Sequence, residues 1–149
     1  MARRVLLGPI VTIHWGQELA TGIEQIDAQH RQLYETVAQL HTLMRSKALS
    51  EVDVVLDALT QYASEHFATE EREMRSSGYP GFDDHRAAHL AFVQEFVRIR
   101  GLLEVRPTVS GVVELSSWLS DWLREHVRGL DAEMARFLRP PPAHRKPAA

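Results

Sequence analysis

The chain has 149 residues, a formal net charge of -3 and no cysteine. That length makes one ordinary domain with a single sizeable core, and the charge argues against a general nucleic-acid binder, which is normally basic. Without cysteine there is no disulfide, thiolate zinc site, iron–sulfur cluster or cysteine nucleophile.

At the start, Arg3 and Arg4 precede a short apolar run that Gly8 and Pro9 interrupt. No small-residue cleavage pattern follows, so no signal peptide is expected. No stretch approaches the roughly 18 apolar residues of a membrane span, and a soluble cytoplasmic protein is expected.

The first predicted helix runs from about Glu24 to Arg45, with Ile26, Leu33, Val37, Leu40 and Met44 on one stripe. His30 takes the place on that stripe between Ile26 and Leu33. Ser46 to Ser50 reads as a turn, and Ser50 with Asp53 resembles a capping box opening the second helix. There Val52, Val55, Leu56, Leu59, Tyr62 and Ala63 lead on to His66, Glu70 and Met74 along the same stripe. The run Ser76-Ser77-Gly78-Tyr79-Pro80-Gly81 is a strong stop signal.

Asp83 or Asp84 is expected to cap the third helix. Its stripe is His85, His89, Phe92, Phe96, Ile99 and Leu103, and Pro107 marks its end. The fourth helix carries Val112, Leu115, Leu119, Trp122 and His126. Beyond Leu138 the chain is rich in proline and lacks an apolar period, so residues 139–149 are expected to form a disordered tail. Residues 1–138 then make one domain, an N-terminal arm and four helices. With no strand-like alternation and only short connections, the expected fold is all-α, an antiparallel up-down-up-down four-helix bundle.

In an antiparallel pair, residues equidistant from the turn lie at one height. His30 and His66 are equally far from position 48. His66 and His89, and likewise Glu70 and His85, share a midpoint beside Gly78, and His89 and His126 share one beside Pro107. Every midpoint falls in a turn inferred from other residues, so these side chains share one layer. His66/Glu70 and His85/His89 have the four-residue spacing that places two side chains on one helix face. Asp131 follows His126 by five, which on a regular α-helix turns it away; it needs a local distortion or a helix end, and the nearby Gly129 permits one.

Singly, each histidine reads as a hydrogen-bonded core residue and each acid as solvated surface. Yet Glu70 lies on a core stripe with no Lys or Arg, where an unpaired carboxylate is costly, and a metal would supply the positive charge. His30, His66, Glu70, His85, His89, His126 and Asp131 together point to a metal site; His14, His41 and His144 lack such partners. Five imidazoles exceed the three protein ligands usual at a catalytic zinc. By ligand softness alone, iron, manganese, zinc and copper all remain open. If Glu70, Asp131 and a solvent oxygen each bridge two metals, all but one position of two octahedra are filled, and that position suits dioxygen.

The segments Trp15 with Gly22, Ile26-Asp27-Ala28-Gln29-His30, His66-Phe67-Ala68-Thr69-Glu70-Glu71, His85-Arg86-Ala87-Ala88-His89 and Trp122-Leu123-Arg124-Glu125-His126 with Asp131 resemble the hemerythrin family, in its single-domain bacterial form. The likeness covers about residues 12 to 135. It implies two non-haem iron ions bridged by Glu70, Asp131 and an oxo or hydroxo group. His85, His89 and His126 would saturate one ion, and His30 and His66 would hold the other, leaving it open to dioxygen. Phe67, Trp122 and Leu123 match positions lining the family's oxygen pocket. The implied activity is reversible dioxygen binding for storage, transport or delivery, without enzymatic turnover. An oxygen or redox sensor working through a partner protein, or less readily a di-iron peroxidase or oxidase, are the alternatives. Partners in the carrier reading are dioxygen and an oxygen-consuming enzyme; in the sensor reading, a signalling protein. Asp27, Gln29 and Glu125 are near enough in number to brace the imidazoles.

Overall fold

The computed structural model describes residues 13–139. Most of the N-terminal arm, and the tail apart from Arg139, lie outside them. Four long helices dominate: α1 (Glu24–Ser46), α2 (Val52–Ser77), α3 (Phe82–Val105) and α4 (Val109–His126). A π turn (Val127–Asp131) joins α4 to the short α5 (Ala132–Leu138). No strand occurs among the described residues. The helices run antiparallel around a square. Early α1 meets late α2 through Gln29 and Thr69, late α3 meets early α2 through Arg100 and Asp57, and late α3 meets early α4 through Arg98 and Glu114. α1 also packs on α4, closing the ring.

Each boundary has a local cause. Asp27, in the first turn of α1, accepts hydrogen bonds from the Thr21 N–H (2.7 Å), the Thr21 hydroxyl (2.8 Å) and the Gly22 N–H (3.1 Å). That ties the lead-in chain to the helix and uses up Asp27, so it does not brace an imidazole. α2 ends in a Schellman turn: Gly78 takes φ 68°, its N–H donates to the Arg75 carbonyl, and the Tyr79 N–H donates to that of Met74. Gly78 is suited to that left-handed backbone, which costs a residue with a Cβ roughly 1–2 kcal/mol. Directly after Pro107, Thr108 caps α4: its hydroxyl oxygen accepts from the Gly111 N–H at 3.0 Å.

Two expected caps are not made. Leu49–Glu51 form a 3-10 turn that feeds α2 without a side-chain cap, so Ser50 and Asp53 make no capping box. α3 starts at Phe82 after Gly81, and Asp83 and Asp84 fall inside its first turn. There their charges favour the helix dipole, but they accept no capping bond.

The core is divided. A large apolar cluster, including Leu33, Val37, Leu40, Leu56, Leu59, Phe92, Phe96, Leu115 and Leu119, fills most of the bundle. A small one, Ile26, Met74 and Met134, closes the end reached by α5. The layer of histidines lies between them.

Candidate metal centre

One helical position from each of α1 to α4 sends an imidazole inward, and α2 and α3 each add a second inward residue four positions on. His30, His66, Glu70, His85, His89, His126 and Asp131 are all buried, Glu70 and Asp131 completely. The structure brings all seven together. On a regular α-helix Asp131 would be rotated about 140° from His126. The π turn over Val127–Asp131 takes up the extra residue and returns Asp131 to the interior.

The two carboxylates divide their oxygens between two groups of histidines. Glu70 Oε2 lies 3.1 Å from His89 Nε2 and 3.2 Å from His85 Nε2. Asp131 Oδ1 lies 3.0 Å from the Nε2 atoms of both His85 and His126. On the other side, Glu70 Oε1 is 3.2 Å from His66 Nε2, and Asp131 Oδ2 is 2.9 Å from His30 Nε2. Two donor sets result, Glu70 with His85, His89 and His126, and Glu70 with His30, His66 and Asp131. Within each, the nominated atoms all lie within 4.8 Å of one another.

This arrangement fits cations better than a hydrogen-bond network. His30 Nε2 faces His66 Nε2 at 3.1 Å, and His85 Nε2 faces His126 Nε2 at 3.1 Å. Facing imidazole nitrogens need one proton between them, whereas both lone pairs can point at a metal. Glu70 Oε1 and both Asp131 oxygens are buried and accept no directed hydrogen bond, although imidazole nitrogens lie close to them. No lysine or arginine pairs with either carboxylate among the described residues. Burial opposes ionisation of both acids, and they repel each other, yet the surrounding imidazoles hold both far below the usual carboxylate range. Burial likewise opposes protonation of His30 and His85. The Asp131 and Glu70 carboxylates outweigh it, raising His30 and pushing His85 up to about 9. The layer has negative charge at its centre and positive charge drawn towards it.

The outward nitrogens supply further detail. His66 Nδ1 lies 3.1 Å from Gln29 Oε1, and His89 Nδ1 lies 3.1 Å from Glu71 Oε1. Gln29 was among the neighbours considered from sequence, whereas Glu71 was missed and Glu125 is exposed. For one pair the signal was present: Gln29 and His66 are nearly equidistant from position 48, whereas Glu71 lies about five residues nearer its turn than His89, so equal distance from the turn does not pick it out. Phe67 stacks on His89 with centroids 3.9 Å apart and also borders His66 at 5.9 Å. Trp122 lies flat on His126 at 4.2 Å. Leu123 is buried in the large apolar cluster. His41 is buried on α1 but belongs to neither donor set.

No helix among the described residues is long and apolar enough to cross a membrane. The family described as hemerythrin HHE cation binding domain matches residues 21–138. A bacteriohemerythrin of Stenotrophomonas maltophilia is 35% identical over 121 residues, covering 81% of this chain and 78% of its own. A bacteriohemerythrin of Pseudomonas aeruginosa is 33% identical over 118 residues, covering 79% and 76%. A myohemerythrin of Theromyzon tessulatum is 26% identical over 117 residues, covering 78% and 86%. With that match spanning all four helices and α5, the chain belongs to the hemerythrin family.

Proposed function

We propose that this chain binds dioxygen reversibly at a pair of non-haem iron ions, as a cytoplasmic carrier that stores, transports or delivers oxygen. The observation that carries the reading is the unequal sharing of histidines around two common carboxylates. Glu70 and Asp131 offer one oxygen to each side, three imidazoles gather on one side and two on the other. A ligand set completed on the first side is one short on the second, and dioxygen fits that deficit. A pair of ferrous ions held there would supply two electrons to dioxygen and recover them on its release.

The protein's own contribution is to hold and to dry the site. His85, His89 and His126 fix one position, His30 and His66 the other, and the two carboxylates keep the positions together and offset their charge. Phe67 and Trp122 cover the imidazoles of His89 and His126 with ring faces. Ile26, Met74 and Met134 close the opposite end. Excluding water limits proton delivery, which favours release of oxygen unchanged over its reduction. This supports a carrier more than an oxidase.

The test is elemental analysis with visible spectra taken through repeated anaerobic and aerobic cycles. Two irons per chain and an absorption band that comes and goes with oxygen are expected. Two irons with spectra indifferent to oxygen would overturn the carrier reading. We assign Leu123 to the wall of the oxygen pocket with Phe67 and Trp122. Leu123→Asn is expected to speed irreversible oxidation on the order of tenfold, about 1.4 kcal/mol of barrier. Stopped-flow oxidation rates equal to those of the unaltered protein would remove Leu123 from the pocket.

A further inference from the structure

The two groups of histidines are braced by partners of different charge. On the two-histidine side, His66 Nδ1 donates to Gln29 Oε1 at 3.1 Å and Gln29 Nε2 donates to Thr69 Oγ1 at 3.0 Å. The Thr69 hydroxyl in turn donates to the Glu65 carbonyl at 2.9 Å. That chain fixes which way the amide faces, and it ends in neutral groups. On the three-histidine side, His89 Nδ1 meets Glu71 Oε1 at 3.1 Å. Glu71 is 23% exposed and lines an open groove of about 690 Å³ between α2 and α3, together with Phe67 and His89. Arg86 approaches its other oxygen only to 3.8 Å and is itself half exposed, so solvent screens most of that pairing. The outward nitrogens of His30 and His85 have no partner. Among the described residues, Glu71 is the one carboxylate bonded to the outward nitrogen of these imidazoles.

A carboxylate that accepts from the outward N–H of a ligating imidazole raises the basicity of its inner nitrogen. Such charge-assisted bonds are about twice as strong as neutral ones. An amide does the same much more weakly. We propose that Glu71 and Gln29 are positioning residues that make the two metal positions electronically unequal. Through His89, Glu71 enriches the three-histidine position and eases its oxidation, while Gln29 keeps the position open to dioxygen comparatively electron-poor. The inference rests on the di-iron reading above.

Two variants test it on the iron-loaded protein. Glu71→Gln keeps an acceptor for His89 and removes the charge. Gln29→Glu puts a charge on His66, and the Thr69 hydroxyl can turn to donate to it. Anaerobic titration with a graded series of one-electron mediators reads the potential of each electron step. Glu71→Gln should shift the first step about tenfold towards the reduced form, which is 59 mV for one electron. Gln29→Glu should shift the balance about tenfold the other way. Mössbauer spectra of the half-oxidised protein should put ferric iron on the three-histidine side, with that preference weakened in both variants. A merely structural bond would leave the potentials where they are. Unchanged potentials in both variants at full iron content would overturn the proposal, as would ferric iron localised on the two-histidine side. If Glu71→Gln loses iron, Gln29→Glu decides. An iron pair that fails to oxygenate reversibly would sink the carrier reading and still leave these potentials to judge the inference.

Discussion

Replacing Glu70 with alanine is expected to cut bound iron from two ions per chain to one or none and to abolish reversible oxygenation. Glu70 is the side chain common to both donor sets, with Oε2 facing His85 and His89 and Oε1 facing His66. Its loss removes a ligand from both positions at once, and alanine offers no oxygen in its place. Asp131 alone would then have to offset two cations in a buried layer. The check is elemental analysis of protein whose circular dichroism shows the helices intact. Retention of two irons with normal oxygenation would take Glu70 out of the centre. His41→Ala is the matched control: it truncates another buried histidine of α1 outside the donor sets, and iron content should not change.

Stripping the metal with a chelator should lower the thermal midpoint by more than about 10 °C. A ligand held at a thousand times its dissociation constant stabilises the native state by about 4 kcal/mol per site, and a chain of this size shifts about 2–4 °C per kcal/mol. The penalty should also depend on pH. Without metal, Glu70 and Asp131 rely on protonated imidazoles, and the carboxylates raise His30 and push His85 up to about 9. Raised histidines bind protons more tightly folded than unfolded. Their stabilisation is complete below the ordinary value of 6.5 and is lost as pH rises through about 9. Between those limits the stripped protein should weaken while the loaded protein does not, because metal has replaced the protons. The gap in melting temperature between the two forms should therefore widen from pH 6.5 to 9. Scanning calorimetry of both forms across that range checks it. A constant gap would mean that the imidazoles do not neutralise the carboxylates.

The family resemblance and the residues themselves point to the same architecture, and the bundle has it. Helix α1 was expected from about Glu24 to Arg45 and spans Glu24–Ser46. Apolar period identifies the buried face, and Gly78 and Pro107 punctuate the chain, so both are written locally. Caps were read less well. Ser50 and Asp53 have the right spacing, but the chain enters α2 through a 3-10 turn that keeps them from pairing.

The sequence by itself determined which residues could meet. A shared stripe fixes direction and equal distance from a turn fixes height, so six side chains from four helices fall in one layer on these grounds alone, and Asp131 joins them only through a distortion after His126. Tertiary structure alone decided how they meet. Five residues from His126 to Asp131 require some distortion, but that it takes the form of a π turn, leading into an α5 whose Met134 packs with Ile26 and Met74, is visible only in the folded chain. The division of carboxylate oxygens between three histidines and two depends on side-chain torsions that neighbouring helices set. So does the choice of Glu71 over Glu125 as partner to an imidazole, since both are helical glutamates beside a candidate ligand. Periodicity carries the direction of the Cα–Cβ bond, whereas the position of a side chain's last atoms belongs to whatever packs against it.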